Sequence, residues 1–98
     1  MSTLSRKEIE EIVRALLVKY QAEYALLFGS YARGEETSSS DIDLVVFGGE
    51  KFLPKNIFAF GEELREKTNL EADVFEITEI NKNTDFYNAV MREGVRIA

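Results

Sequence analysis

From Ile9 onward, apolar residues return every three or four positions, at Ile9, Ile12, Val13, Leu16, Leu17 and Tyr20. That is the stripe of one helical face, and it predicts a helix over 6–20. Its start is marked by Ser5-Arg6-Lys7-Glu8, which has the spacing of a capping box, with Leu4 and Ile9 placed to staple the entry. Tyr24-Ala25-Leu26-Leu27-Phe28 is then a short apolar run stopped by Gly29, the pattern of a buried strand. A helical turn over 31–33 and a polar loop over 35–40 follow. Ile42 to Phe47 predicts a second strand, closed by Gly48-Gly49. Pro54 suits a first helical turn, and Ile57, Phe60 and Leu64 carry that helix to about residue 67. Leu70 to Ile77 predicts a third strand, entered through Thr68-Asn69. Thr84 is placed to cap a last helix carrying Phe86, Ala89, Val90 and Met91, with Gly94 as its stop. Residues 95–98 predict a short edge strand.

This order of elements implies an α+β (α/β) fold, a small mixed β-sheet flanked by helices. Ninety-eight residues suffice for one domain, 1–98, with one core. Composition then narrows the chemistry. There is no cysteine and no histidine, which excludes disulfides, thiolate nucleophiles, the usual structural zinc and imidazole acid–base catalysis. A metal would have to be held by oxygen, favouring magnesium, manganese or calcium. The net charge of −6 argues against direct nucleic-acid binding and against anionic membrane, and it suits a basic protein partner. No run approaches the ~20 apolar residues of a membrane helix. The first residues lack the apolar core of a signal peptide, so a cytoplasmic protein is expected.

The chemistry concentrates in FGSYARGEETSSSDIDLVVF, residues 28–47. Gly29-Ser30 stands where a strand ends and a helical turn begins, a place where backbone amides favour anions; an ordinary turn has the same sequence. Gly29 and Gly34 have the gap of a P-loop, but Glu35 and Glu36 replace its lysine and hydroxyl residue, so that mechanism is lost. Asp41 and Asp43 are two apart in a strand and project to one face, while Ile42 and Leu44 enter the core. Two such carboxylates either hold metal ions for phosphoryl transfer or sit solvated at a strand entrance. An EF-hand-type calcium loop is a poor alternative, because the chain continues Leu44-Val45-Val46-Phe47 in place of a loop. Asp73 repeats the apolar-Asp-apolar pattern and is the preferred third carboxylate. Glu71 would share its face and Glu76 would take the other.

Gly29-Ser30, Asp41-Ile42-Asp43-Leu44 and the later strand around Asp73 resemble the DNA polymerase β-like nucleotidyltransferase superfamily. Gly-Ser-Tyr-Ala-Arg-Gly with Ser-Asp-Ile-Asp-Leu resembles, more narrowly, its minimal nucleotidyltransferases (the MNT, or MntA-like, antitoxins), over essentially the whole chain. The resemblance implies that Gly29 and Ser30 hold the β/γ-phosphates of a nucleoside triphosphate, ATP by preference. It implies that Asp41 and Asp43 ligate two Mg2+ ions, with Mn2+ an alternative, and that Asp73 ligates the catalytic ion. It places Arg33 in the signature, either on a phosphate or paired with nearby acids. The implied reaction moves AMP onto a hydroxyl, a tyrosine of a partner HEPN-domain toxin, within a hetero- or homo-oligomer. A non-catalytic antitoxin that neutralises its partner by occlusion is the alternative, and a small-molecule nucleotidyltransferase is a third option. Glu71 and Glu76 beside Asp73 are the departure from the pattern.

Overall fold

Side-chain alternation along the strands divides this molecule into a closed face and a half-open one, as seen in a computed structural model that describes residues 4–37 and 40–98. The elements are α1 (Arg6–Lys19), β1 (Tyr24–Phe28), α2 (Ser30–Arg33), β2 (Ile42–Phe47), α3 (Asn56–Thr68), β3 (Ala72–Glu76), a 3-10 turn (Ile77–Glu79), α4 (Asp85–Glu93) and β4 (Val95–Ile97). The sheet runs β3-β2-β1-β4. β1 is antiparallel to β2 and β4, and β2 is parallel to β3. The parallel pair needs a crossover, which α3 supplies. The sheet is therefore mixed and helix-flanked, as expected. Ser38 and Ser39 of the expected polar loop lie outside the described residues.

On the closed face, Ala25, Leu27, Ile42, Leu44 and Val46 meet Ile9, Val13 and Leu16 of α1 and Ile57, Phe60 and Leu64 of α3. Each large aliphatic buried there contributes roughly 1.5–3 kcal/mol. The capping box of α1 forms: Ser5 accepts from the Glu8 amide, and the Glu8 carboxylate accepts from the Ser5 amide. At the other end, Tyr20 donates to Glu63 of α3 at 2.6 Å and Lys19 pairs with the same carboxylate, tying the two helices together. On the second face, Leu26 and Val45 pack against Val90 of α4. Asp43 and Asp73 belong to this face by alternation. Among the described residues no helix is long and apolar enough to cross a membrane.

Two boundaries and one helix stop differ from the periodic pattern. β3 runs only from Ala72 to Glu76, because the Glu76 carboxylate accepts from the Thr78 amide and Glu79 accepts from the Glu76 amide, which turns the chain at Ile77. Glu71 thus precedes the strand, although its carbonyl accepts from the Ile42 amide at 2.9 Å. Pro54 lies ahead of α3, its carbonyl accepting from Ile57 at 3.1 Å. Gly94 does end α4, but in extended backbone at φ −66°, since β4 begins at the next residue.

Candidate active site

β1 ends at Phe28, and Gly29 then turns the chain with φ +74° into α2. Two constraints require glycine at that point. A side chain rarely adopts this φ, and a Cβ there would stand 2.4 Å from Oδ2 of Asp43. The glycine therefore presents bare backbone to the Asp43 carboxylate. Asp43 is the register partner of Phe28 across the antiparallel pair. It is also the register partner of Asp73 across the parallel pair, one strand spacing of ~4.8 Å away, with both side chains on one face. Asp41 is exposed, immediately before β2. Gly29, Asp41, Asp43 and Asp73 are thus brought to one end of the second face, and Ser30 opens the helical turn beside them.

The electrostatics agree with this grouping. Burial, then repulsion from Asp73 and from Asp41, push the Asp43 carboxyl above its ordinary value, and Arg33 partly offsets them. A half-buried carboxylate with like charges as neighbours would be relieved by a cation. Among the described residues, no group of three acidic side chains stands close enough together to hold a metal ion by itself. Magnesium is commonly bound by one or two carboxylates together with water and substrate phosphates, and the Asp43 and Asp73 pair could supply those carboxylates. The all-oxygen donor set points the same way.

Arg33 is engaged by two acids. Its Nε contacts Glu35 at 2.7 Å and its Nη1 contacts Glu93 at 3.8 Å. Glu93, at the end of α4, was not legible as a site neighbour, because only the tertiary fold brings α4 to α2. Tyr31, inside the same signature, is wholly buried in the closed-face core, and its hydroxyl has no hydrogen-bond partner among the described residues. Burial first, and then the nearby Glu36 charge, raise its pKa. Neither of two surface recesses encloses the site. An open groove of about 940 Å3, lined by Val18, Phe47, Phe52 and Ile77 among others, lies at the far end of the strands. A recess of about 230 Å3 along the β3 edge includes Asp73, Phe75 and Arg65.

Comparison with known proteins decides the family. The model of "Polymerase beta, Nucleotidyltransferase" matches residues 10–98. The chain belongs to this nucleotidyltransferase family. Among relatives of this polymerase-beta nucleotidyltransferase are proteins of Methanocaldococcus jannaschii that carry the provisional name protein adenylyltransferase. One is 35% identical over 101 residues, covering 97% of this chain and 93% of the relative. Another is 47% identical over 68 residues, covering 65% of this chain and 62% of the relative. Solved structures share the fold. A minimal nucleotidyltransferase aligns with TM-score 0.78 at 23% identity, covering 97% of this chain and 98% of that one. A chain of a toxin–antitoxin complex solved with AMP-PNP aligns with TM-score 0.77 at 20% identity, covering 91% and 72%. A chain from the complex of a tri-AMPylated Shewanella oneidensis HEPN toxin with its MNT antitoxin aligns with TM-score 0.72 at 17% identity, covering 95% and 71%.

Proposed function

We propose that this nucleotidyltransferase moves AMP from ATP onto a hydroxyl of a partner protein, a tyrosine of a HEPN-domain toxin, and so acts as a cytoplasmic antitoxin. The observation that carries the reading is the contact of Gly29 with Asp43, itself in register with Asp73. It sets a bare backbone turn against paired carboxylates. The relatives named as protein adenylyltransferases and the AMPylated toxin found with an MNT antitoxin support the acceptor class.

In this reading the first amides of α2, which precede any intrahelical bond, and the Ser30 hydroxyl receive the β- and γ-phosphates. Asp41, Asp43 and Asp73 are the residues that would hold divalent magnesium, which would supply neutralisation of charge on the transferred phosphoryl group. Asp73, exposed on the edge strand, accepts the proton of the acceptor hydroxyl. The acceptor oxygen then bonds to the α-phosphorus, and the bond to the bridging oxygen of pyrophosphate breaks. Arg33 exchanges Glu35 or Glu93 for a phosphate, a pairing its fixed planar fork serves well.

The test is transfer of α-labelled ATP onto a co-purified partner in magnesium. Wild-type protein labels the partner, and Asp43→Asn does not. Undiminished labelling by Asp43→Asn overturns the proposal. Suppression of the partner by an Asp41→Asn/Asp43→Asn protein that no longer labels it would assign neutralisation to occlusion.

A further inference from the structure

Beside the carboxylates, three aromatic rings from three different elements meet without closing off from solvent. Phe86 of α4 makes edge-to-face contacts with Phe28 of β1, at 5.5 Å and 76°, and with Phe75 of β3, at 5.6 Å and 70°. Phe86 remains 40% exposed, and Phe28 and Phe75 are half-buried. Their positions tie them to the site. Phe28 precedes Gly29 and pairs in register with Asp43, and Phe75 is two residues beyond Asp73 on the same face.

Resting on the nucleotidyl-transfer reading, we propose that this aromatic wall is the nucleobase subsite, with Phe86 as its principal stacking residue. The nucleotide's direction follows from the strand order. Its terminal phosphates lie at Gly29 after β1 and its α-phosphate at Asp43 and Asp73, so ribose and base continue towards β3, where Phe75 and Phe86 stand. A purine stacked there would cover the exposed ring. Phenylalanine has no hydrogen-bonding group, so the wall holds a base by its face and does not read its edge. ATP and GTP therefore gain equally from this contact.

Calorimetric titration of the protein with ATP, GTP and tripolyphosphate in magnesium tests the subsite. Phe86→Leu keeps an apolar side chain against Phe28 and Phe75 but removes the ring. It should weaken ATP and GTP about tenfold, within the range measured for one base–aromatic stack, and leave tripolyphosphate unchanged. Phe86→Tyr should restore ATP binding, and Phe75→Leu serves as a second variant on a separate element. A Phe86→Leu protein that binds ATP as wild type does, with binding still lost in Asp43→Asn, overturns the subsite and leaves the catalytic reading standing. Equal loss of tripolyphosphate binding also overturns it. Binding of ATP and tripolyphosphate that is indifferent to Asp43→Asn removes the catalytic reading and the subsite with it.

Discussion

Asp43 carries the largest electrostatic tension in the site, and that tension has a sign that can be tested. Its carboxyl is pushed up by burial, then by Asp73 and Asp41. Between the unfolded and the folded pKa, the native state therefore holds more protons than the unfolded state. The contribution to stability is complete below the unfolded value and falls as pH rises through the folded one. Asp43→Asn should accordingly raise stability at neutral pH by about 0.5–2 kcal/mol, the scale of an optimised charge, and flatten that fall in a pH series of thermal melts. The same change should lower nucleotide transfer by at least about a hundredfold, the cost of losing one preorganised electrostatic group. Gly29→Ala should behave oppositely on stability. It forces an alanine into φ +74° and drives its Cβ to 2.4 Å from the Asp43 carboxylate. A loss of about 1–3 kcal/mol is expected, read as a lower urea midpoint at unchanged m-value.

At the scale of elements, periodicity made most of the fold legible. The stripe from Ile9 to Leu17 is the buried side of α1. Alternation also placed Ile42 and Leu44 in the core and Asp43 on the other face; that Asp73 joins it there follows from the register of the parallel pair, which no local pattern shows. What it missed were ends set by side-chain hydrogen bonds. The turn at Ile77 depends on Glu76 and Glu79 each accepting from a nearby amide, whereas Val74-Phe75-Glu76-Ile77 still reads as strand. The short α2 was legible only as a turn, and nothing in its four residues signalled that Tyr31 would be fully buried. Its unpartnered hydroxyl leads to a prediction for this element. Tyr31→Phe removes a buried polar atom that gains no hydrogen bond among the described residues, so thermal stability should hold or rise. A clear drop in melting temperature would mean that the hydroxyl has a bonding role after all.

For the whole molecule, strand order was beyond sequence reasoning, since no local pattern says that β2 lies between β1 and β3. That order unites residues distant in the chain, and it explains why the Arg33–Glu93 pair was unforeseen. It also gathers carboxylates that Arg33 offsets only in part, so a bound cation should stabilise the entire fold. Magnesium at a hundred times its Kd should add about 2.7 kcal/mol by mass action, seen as a thermal shift that disappears in Asp43→Asn. An equal shift in both proteins would place the ion elsewhere. The contrast between the two neighbours of β2 carries a kinetic consequence. β1 and β2 are antiparallel, so Gly29 can reach Asp43 once that pair closes. Asp73 arrives only after α3 has folded back and the parallel pair has zipped, the slower kind of closure. During refolding, the backbone turn facing Asp43 should therefore be built before its third carboxylate, and the growing cluster of negative charge is deferred until the helices of the closed face are in place to hold it.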